Sequence, residues 1–373
     1  MSENIPNDSG LRGAFETLHE FIKAAKMRTH PDAWDYLVGG TETETTLARN
    51  RAALDRIALR PRVLRDVSEI RTGWTFLGKP VRLPVMLAPV GGLQSFDQGA
   101  GKTVAEAAGR CGAPMMLSSV SKHPLEEVAA RTDYPFVYQL YVRGDERFVD
   151  TRVEQALEAG CEAFCLTVDT AVYSRRERDI ARRFQKPWRT EATGTEYQAM
   201  LSWADVARFK RRHAIPLILK GIATAEDARI AVDHGVEVVY VSNHGGRQLD
   251  HGRGSMDVLP EVLEAVKDRA RVIVDGSFSR GTDVVKAMAM GVEAVAIGRL
   301  YCYALSAAGA SGIVRMYELL ENEVRSALGL LGVTGYEELS PAYLRFDAPL
   351  VREPHVFSAF PLLNLHDSGY GGR

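Results

Sequence analysis

Residues 239–250 read Val-Tyr-Val-Ser-Asn-His-Gly-Gly-Arg-Gln-Leu-Asp, so that a hydrophobic segment runs directly into a polar, glycine-rich one. Positions 236–241 are mostly β-branched or aromatic, and Gly235 ends the helix pattern before them, which predicts a buried strand. His244 and Arg247 follow the end of that strand. α/β barrels place a base and a cation in this way, at the carboxyl ends of their strands.

The region after residue 85 alternates between short apolar segments and amphipathic helix patterns. One such helix covers 225–234, with Thr224 as its N-cap and Gly235 just past its end. Strands that alternate with helices form parallel β/α units, and eight of them close a barrel. The sequence therefore predicts a (β/α)8 TIM barrel that follows an N-terminal helical extension. The predicted strands cover 85–90, 114–118, 136–142, 163–169, 216–221, 236–245, 271–276 and 294–299.

A doubly wound open sheet also alternates strands with helices, and it is the alternative fold. Such sheets often carry a GxGxxG motif after their first strand, and no such motif follows the segment 85–90. Almost every predicted strand ends in a polar residue, as a ring of loops around the mouth of a barrel requires. The pattern favours the barrel.

We predict one domain over residues 1–373, with three segments that lie outside the repeated units. Residues 1–80 form a front segment with helices at 15–26, 31–40 and 45–56. Residues 170–212 form an unusually long connection, and such connections are commonly lids, so we expect an active-site loop there. Residues 341–373 contain several prolines and glycines, which predicts a surface arm that can pack on a neighbouring subunit.

The composition excludes several classes of protein. Hydrophobic residues make up 46% of the chain and charged residues 25%, as in an ordinary globular protein. The formal net charge of −2 gives no basic surface for nucleic acid or for an anionic membrane. The four cysteines lack metal-ligand spacing, which predicts reduced thiols and no metal site. The polar start has no signal-peptide regions and no apolar run could span a bilayer, so we expect a cytoplasmic protein.

His244 is the candidate general base, because a neutral imidazole takes up a proton near neutral pH. Asp169, which ends the predicted strand 163–169, is the candidate to stabilise the resulting imidazolium. Both residues also have ordinary structural interpretations. A lone histidine is often only a hydrogen-bonded structural group, and an aspartate at a strand end often caps the next helix.

Arg176 and Arg247 follow different strands on the same predicted face of the barrel. Two guanidinium groups in one cleft indicate an anionic substrate, because arginine binds a carboxylate through two parallel hydrogen bonds. Tyr36 and Tyr141 could add hydroxyl donors. The alternative for Arg176 is a solvated run of charges at 175–179, and tyrosines are just as often packing residues.

Lys220 ends the apolar pattern at 216–221 and would reach the mouth of the barrel. A lysine in that position could form a Schiff base, as in barrel aldolases. It could instead stabilise negative charge on a cofactor. The residues alone leave both roles open.

The last two predicted strands are followed by glycine-rich segments, Asp-Gly-Ser-Phe-Ser-Arg-Gly at 275–281 and Gly-Arg at 298–299. Barrels commonly bind phosphate with the loops after their seventh and eighth strands. Arg280 or Arg299 could neutralise such a phosphate. The glycines could equally serve only the turns.

Residues 242–250, Ser-Asn-His-Gly-Gly-Arg-Gln-Leu-Asp, closely resemble the signature of the FMN-dependent 2-hydroxy acid oxidases and dehydrogenases. Members include glycolate oxidase, lactate oxidase, flavocytochrome b2 and mandelate dehydrogenase. The resemblance extends from about residue 34 to about residue 303, with further motifs at the predicted strand ends. These are Leu-Ala-Pro at 87–89, Leu-Ser-Ser at 117–119, Gln-Leu-Tyr at 139–141, Leu-Thr-Val-Asp at 166–169, Arg-Arg-Glu at 175–177, Leu-Lys-Gly at 219–221 and Gly-Arg at 298–299.

The resemblance implies a reaction and a role for each candidate residue. The enzyme would bind FMN and oxidise an (S)-2-hydroxy acid to the 2-oxo acid, with oxygen or another acceptor taking the electrons. His244 would take a proton from the substrate with support from Asp169, and Tyr141 would touch the 2-hydroxyl group. The residues implied for the substrate carboxylate are Tyr36, Arg176 and Arg247.

The resemblance also implies which residues hold the flavin. Lys220 would lie beside the N1/O2 edge, which displaces the Schiff-base interpretation, and Gly91 would lie beside N5. The residues implied for the isoalloxazine ring and the ribityl chain are Ala88, Pro89, Val90, Ser118, Gln139, Thr167, Ser242 and Asp275. Those implied for the phosphate are Gly276, Gly298 and Arg299, with Ser277 and Arg280 in the same loop.

Four positions depart from the usual residues of the family. Val120 stands where short-chain oxidases carry a tryptophan, so we expect an aryl or branched substrate that is bulkier than glycolate. Gly91 stands where many oxidases have alanine, which favours an electron acceptor other than oxygen. Ser277 and Ser279 replace a glycine and an arginine of the phosphate loop, which removes one cation from that site.

Two other functions remain compatible with the residues. A barrel aldolase or lyase would use Lys220 on a phosphorylated substrate, and a flavoprotein of this fold could act on a shifted substrate such as an amine. Members of the family usually form tetramers or larger assemblies, so we expect a homo-oligomer. The other expected partners are a small 2-hydroxy acid and an electron acceptor.

Overall fold

The computed structural model describes residues 8–186, 193–347 and 355–363. Within that part of the chain, eight parallel strands pair in sequence order and the last pairs with the first, which closes a barrel. The barrel prediction is confirmed, and the open-sheet alternative is wrong. The barrel strands are β1 (Val85–Leu87), β2 (Met115–Ser118), β3 (Phe136–Leu140), β4 (Ala163–Thr167), β5 (Leu217–Ile222), β6 (Val238–Val241), β7 (Arg271–Val274) and β8 (Ala294–Ile297).

The barrel strands are apolar on both faces because both faces are buried. In β6, Val238 and Tyr240 belong to the cluster that fills the barrel interior. Val239 and Val241 belong to the cluster that joins the strands to the surrounding helices. Successive side chains of a strand point to opposite faces, so this uninterrupted hydrophobic run supplies both layers of the core.

Helices surround the barrel and make up most of its N-terminal extension. In the extension they cover Asp8–Ala14, Leu18–Arg28, Pro31–Val38 and Thr45–Asp55. Around the barrel they cover Gly101–Cys111, Leu125–Ala129, Glu146–Glu158, Glu177–Ala181, Thr195–Met200, Trp203–Arg212, Ala225–Asp233, Ser255–Val266, Gly281–Met290 and Arg299–Leu331. Among the described residues, no helix combines the length and the apolar character needed to cross a bilayer.

A short antiparallel hairpin closes the amino end of the barrel. It consists of the strands Trp74–Phe76 and Lys79–Val81. The Phe76 side chain is fully buried in the interior cluster. The Trp74 indole N–H donates to the backbone oxygen of Glu293 at 2.8 Å, immediately before β8. This end of the barrel is therefore filled by protein, and the opposite end carries the polar loops.

Two parts of the chain have more helix than the sequence predicted. The described part of the connection 170–212 contains the helices Glu177–Ala181, Thr195–Met200 and Trp203–Arg212, which are short and rich in charge. The helix Arg299–Leu331 is longer than any predicted one and is kinked at Ala308, where φ is −155°. Residues 187–192 of the connection lie outside the described residues.

The described part of the predicted arm, 341–373, packs on its own chain. Leu344 pairs with Leu59 in a two-residue antiparallel ladder. Phe360 is buried and its ring centre is 5.5 Å from that of His19. Residues 348–354 and 364–373 lie outside the described residues. Packing of the arm on a neighbouring subunit, and the single domain over 1–373, stay predictions.

The loop after β6 is anchored on the N-terminal extension. Asp250 accepts hydrogen bonds from the backbone N–H groups of Thr43 and Thr46, at 2.9 and 2.8 Å, at the start of the helix Thr45–Asp55. Gly246 packs directly on that helix with a φ of +76°, and a Cβ there would lie 2.5 Å from the backbone nitrogen of Leu47. The anchor therefore requires glycine for space as well as for conformation.

We expect Gly246→Ala to lower the free energy of unfolding by at least about 2 kcal/mol more than Gly160→Ala does. Gly160 has the same φ of +76° but has open space around its Cβ position. Gly160→Ala is therefore a control that has only the cost of placing an alanine in the left-handed conformation, about 1 kcal/mol. Urea unfolding of the two variants measures the difference, and equal midpoints would contradict the close packing on Leu47.

Candidate active site

A cavity of about 550 Å³ lies at the carboxyl ends of the barrel strands. Its volume is in the range of small-molecule and cofactor sites. The predicted site residues that line it are Tyr36, Ala88, Pro89, Val90, Gly91, Val120, Tyr141, Arg176, Lys220, His244, Arg247, Asp275, Gly276, Ser277, Gly298 and Arg299. The other predicted residues do not line it, namely Ser118, Gln139, Thr167, Asp169, Ser242 and Arg280.

His244 lies between an acid and a phenol. Its Nδ1 is 3.2 Å from Asp169 Oδ1, and its Nε2 is 3.2 Å from the hydroxyl of Tyr141. The backbone at His244 has a φ of +60°, and its N–H donates to the Ser242 hydroxyl at 3.0 Å. A left-handed conformation is costly for a residue with a Cβ, so these contacts hold the ring in a position that the free loop would avoid.

The contact with Asp169 decides which nitrogen of His244 is basic. An ionised carboxylate only accepts hydrogen bonds, so the proton of the neutral ring lies on Nδ1. Nε2 then carries the lone pair, and the Tyr141 hydroxyl donates to it. The basic atom is therefore on the side of the ring that faces Tyr141, a residue of the cavity wall.

The pKa shifts of these three groups favour the base form. Burial, followed by the charge of Lys220, lowers the pKa of His244, and Asp169 opposes that shift. Burial alone would raise the pKa of Asp169, but the charge and the hydrogen bond of His244 lower it. Burial raises the pKa of Tyr141. At neutral pH the groups are an imidazole, a carboxylate and a phenol, as general base catalysis requires.

Two arginines and a tyrosine form a candidate anion site. The Arg247 guanidinium carbon lies 4.6 Å from the centre of the Tyr36 ring, and Arg247 donates to the Tyr36 backbone oxygen at 2.6 Å. Arg176 donates to Ser174 Oγ and to Gln248 Oε1, both at 3.4 Å. In the described part of the chain, neither guanidinium forms an ion pair with a carboxylate.

The charges of the two arginines repel each other. Burial, followed by repulsion from Arg176, lowers the pKa of Arg247 to about 10. A carboxylate bound between the two guanidinium groups would relieve that repulsion and would form charge-assisted hydrogen bonds. The Tyr36 hydroxyl donates to the backbone oxygen of Gly91 at 3.0 Å, which places this anion site beside the predicted flavin residues.

Lys220 is held by two neighbouring strands. Its Nζ donates to Ser242 Oγ at 3.1 Å and lies 3.8 Å from Asp275 Oδ2. The Tyr240 hydroxyl donates to the same carboxylate oxygen at 2.9 Å. An ammonium group in this setting suits the stabilisation of negative charge, whereas a Schiff base needs a free amine.

Several buried polar atoms near the cavity lack a hydrogen-bond partner in the described chain. They include the amide oxygen and nitrogen of Gln139, the hydroxyls of Thr167 and Ser277, and Oδ1 of Asp275. Buried polar atoms in folded proteins nearly always have partners, so these atoms indicate a bound polar molecule. FMN fits them, because a flavin ring offers both donors and acceptors to an amide and the ribityl hydroxyls suit a carboxylate and hydroxyls.

The predicted phosphate residues divide into two groups. Gly276, Ser277, Gly298 and Arg299 line the cavity, and Ser277 adopts a φ of +65°. Arg280 does not reach it, because its guanidinium pairs with Glu323 at 2.5 Å and donates to the backbone oxygen of Ala359. The placement of Arg280 in the cofactor site is therefore corrected: a carboxylate on the last helix already neutralises it.

Val120 and Gly91 lie next to each other in the cavity wall. A Cβ added at Gly91 would meet the Val120 Cβ at 3.5 Å, which is an ordinary van der Waals contact. An alanine at Gly91 would therefore fit. The valine side chain leaves a volume in the wall that a larger ring would fill.

The sequence analysis missed several cavity residues, among them Tyr173 and Gln248. Tyr173 lines the cavity with the Arg176 guanidinium carbon 4.8 Å from its ring centre. Gln248 also lines it, and its side-chain nitrogen donates to the backbone oxygen of Asp169 at 2.9 Å. Gln248 lies within residues 239–250, and Tyr173 lies three residues before Arg176. Their closeness in sequence to His244 and Arg176 could have identified both as candidate site residues.

A family model described as FMN-dependent dehydrogenase matches residues 25–346 of the chain. The chain belongs to this family. It is 38% identical over 372 residues to the peroxisomal (S)-2-hydroxy-acid oxidase GLO4 of Oryza sativa subsp. japonica, which covers 94% of this chain and 99% of that protein. It is 37% identical to the 4-hydroxymandelate oxidase of Amycolatopsis orientalis over 85% of this chain and 95% of that protein.

Solved structures of mandelate oxidase have the same fold as this FMN-dependent dehydrogenase. The complex with (S)-2-phenylpropionate superposes with a TM-score of 0.82 at 38% identity and covers 89% of this chain and 98% of that chain. A variant with the C4a-OH-FMN adduct gives 0.80 at 38% identity over 87% and 98%. The protein is therefore an oxidoreductase of CH–OH donors with FMN as its cofactor, and the aldolase alternative is wrong.

We expect Arg299→Met to weaken FMN binding at least about tenfold, because the variant loses a charge-assisted contact to the phosphate. Arg280→Met is the matched control, since Arg280 pairs with Glu323 and does not line the cavity. Equilibrium dialysis of the apoproteins with FMN measures both affinities, and unfolding midpoints check that the variants fold. Equal affinities of the two variants would remove Arg299 from the phosphate site.

The lowered pKa of His244 predicts the acid side of the pH profile. His244 acts as a base only when neutral, so kcat/KM should stay constant as the pH falls to about 6.5 and should drop only below the shifted pKa. Asp169→Asn removes a group that raises this pKa and stabilises the imidazolium. We expect its plateau to be lower by about 10²-fold or more and its acid limb to lie at lower pH. An unchanged plateau would exclude Asp169 from this role.

Proposed function

We propose that the protein oxidises an aryl or branched (S)-2-hydroxy acid to the 2-oxo acid, with FMN as cofactor and oxygen as electron acceptor. The observation that carries the proposal is the arrangement of His244 with Asp169 and Tyr141 beside a cationic pair, Arg176 and Arg247. This arrangement places a base, a carboxylate that stabilises its protonated form, a hydroxyl donor and an anion site around one cavity.

FMN, when bound, would accept the two electrons and one of the two protons that leave the substrate. The residues of the chain bind and orient the acid. Arg247 and Arg176 hold its carboxylate, and the Tyr141 hydroxyl contacts the 2-hydroxyl group. His244 Nε2 receives a proton from the substrate as the 2-oxo acid forms, and the Asp169 carboxylate, 3.2 Å from Nδ1, stabilises the imidazolium.

The remaining residues of the cavity fit the chemistry of the cofactor. The Lys220 ammonium would stabilise negative charge on the reduced ring system, since it lies among polar groups at the ends of β5, β6 and β7. Gln139 and Thr167 would form hydrogen bonds with it through the atoms that lack protein partners. Asp275 and Ser277 would bind the ribityl chain, and Gly276, Gly298 and Arg299 the phosphate.

The size of the substrate is proposed from Val120. This residue lines the cavity beside Gly91, where valine is small and glycine has no side chain. The relatives include a 4-hydroxymandelate oxidase and solved mandelate oxidases, whose substrates carry an aromatic ring, and also glycolate oxidases of similar identity. The preference for an aryl acid such as mandelate over glycolate therefore rests on Val120.

The electron acceptor is proposed from the relatives. Oxidases of rice, Nostoc and Amycolatopsis are among those that the chain resembles over most of its length. They support oxygen, although Gly91 led us to expect another acceptor from the sequence. Stoichiometric hydrogen peroxide during turnover in air would support oxygen, and flavin that stays reduced in air would contradict it.

A homo-oligomer in the cytoplasm remains part of the proposal. The cysteines of the described chain are unpaired and buried, as in a reducing compartment. Val63 and Leu64 are exposed apolar residues on one loop, which suits a subunit contact. Light scattering on the purified protein and fractionation of cells that produce it test the two expectations, and a monomer or an organelle-bound protein would contradict them.

The proposal predicts that anaerobic addition of (S)-mandelate bleaches the flavin absorbance and that kcat/KM for mandelate exceeds that for glycolate at least tenfold. Val120→Trp should lower the mandelate value at least about tenfold and leave glycolate turnover similar, because the indole fills the space beside Gly91. Leu157→Trp, on an exposed helix position, is the control.

Two outcomes would contradict the proposed function. A preference of the unaltered enzyme for glycolate would exclude the bulky substrate while leaving the reaction in place. Flavin that stays oxidised with every 2-hydroxy acid would indicate a flavoprotein of this fold with a shifted substrate.

A further inference from the structure

The connection between β4 and β5 carries a buried ion pair beside the cavity. The Lys186 ammonium contacts the Asp179 carboxylate, and the two side chains are 3% and 7% exposed. Lys186 Nζ also lies 5.0 Å from the centre of the Tyr36 ring and 5.6 Å from that of Tyr173. One ammonium group therefore contacts two tyrosine rings that both line the cavity.

The ammonium group sets the direction of its hydrogen bond with Tyr173. Lys186 Nζ is 3.0 Å from the Tyr173 oxygen, and an ammonium has donors but no acceptor. The phenol oxygen therefore accepts this bond. Tyr36 differs, because its hydroxyl donates to the backbone oxygen of Gly91.

Tyr173 lies next to the cations of the anion site. The Arg176 guanidinium carbon is 4.8 Å from its ring centre. The next residue, Ser174, donates to the backbone oxygen of Arg247 at 2.5 Å, which fixes the start of this connection to the loop after β6. The Tyr173 side chain therefore lies in the cavity wall beside the cations of the anion site.

The rest of the connection is tied down in the same way. Arg178 forms two hydrogen bonds with the Glu44 carboxylate, at 2.5 and 2.7 Å, and Arg182 donates to Asp35 at 2.6 Å. Both acids belong to the N-terminal extension, which also carries Tyr36. The segment that presents Tyr173 to the cavity is therefore held in one position.

We propose that Tyr173 is a further substrate-binding residue, whose hydroxyl donates to the substrate carboxylate beside Arg176 and Arg247, and that Lys186 positions it. The inference rests on the proposed function, because it requires a 2-hydroxy acid in the cavity. Every such acid carries the carboxylate, so the contribution of Tyr173 is the same for small and for bulky substrates.

Tyr173→Phe tests the proposal directly, because it removes the hydroxyl and keeps the ring under Arg176. We expect KM for mandelate and for lactate to rise by a similar factor of about ten or more, with kcat within about twofold. The dissociation constant of the product benzoylformate, followed by the change in flavin absorbance, should rise by the same factor. Tyr134→Phe is the control, since Tyr134 packs against Gly112 and does not line the cavity.

The pH profile separates a carboxylate contact from a purely structural role. Burial alone would raise the pKa of Tyr173, but Arg176 and then Lys186 lower it, with Arg247 acting in the same direction. Tyr36 interacts with Tyr173, Asp179 pairs with Lys186, and His244 and Glu196 are further titratable residues of the same cavity wall. A phenolate repels the carboxylate, so KM should begin to rise at a lower pH than an ordinary tyrosine would cause. Tyr173→Phe should lack this early rise.

The role of Lys186 is tested by a double-mutant cycle. Asp179→Asn with Lys186→Met removes both charges and so leaves no uncompensated buried ion. We expect this pair of substitutions to raise KM, and Tyr173→Phe to add less than about twofold on that background. If Tyr173→Phe raises KM by the same factor with and without the other two substitutions, Lys186 does not position Tyr173.

The outcomes distinguish this inference from the proposed function. If the unaltered enzyme neither bleaches with 2-hydroxy acids nor binds benzoylformate, the proposed function fails. If the unaltered enzyme bleaches and binds benzoylformate, but Tyr173→Phe leaves KM and the dissociation constant unchanged, the inference about Tyr173 fails while the proposed function stands. An effect on only one of the two acids would also overturn it, because that result indicates a contact with the substrate side chain.

Discussion

The carboxylate of Asp250 joins the two parts of the chain from which the site is assembled. Its two oxygens accept hydrogen bonds from Thr43 and Thr46 of the N-terminal extension. Burial alone would raise the pKa of Asp250, but these bonds hold it well below its ordinary value, so the carboxylate stays charged. Tyr36 comes from the extension and Arg247 from the loop after β6, and this contact sets the distance between them.

Most of the fold and of the chemistry could be predicted because the information is local in the sequence. An apolar run such as 238–241 predicts a strand, and the polar residue that follows it must lie at the barrel mouth. The position of Arg280 could not be predicted in this way. Its partner Glu323 lies 43 residues later, on a helix that carries none of the recognised motifs. Lys186 was missed for a similar reason, since it stands in a charged segment that reads as solvated.

The proposed flavin residues and the proposed substrate residues come from different parts of the chain. The residues that we propose for the flavin, among them Lys220 and Asp275, stand at the ends of barrel strands, whose geometry is fixed by the closed ladder. The residues that we propose for the substrate come from the extension and from loops. Tyr36 lies between the cations of Arg247 and Lys186, at 4.6 and 5.0 Å from its ring centre. Substrate range can thus change without disturbing the flavin site.

The partnerless atoms of Gln139, Thr167 and Asp275 also bear on the protein before it acquires flavin. In the flavin-free protein these polar groups would bond to water, and bound FMN would replace that water with its own hydrogen bonds. Bound FMN stabilises the folded chain by mass action, at about 1.4 kcal/mol for each tenfold excess over its dissociation constant. The amount of folded enzyme therefore depends on the supply of FMN as well as on the stability of the chain itself.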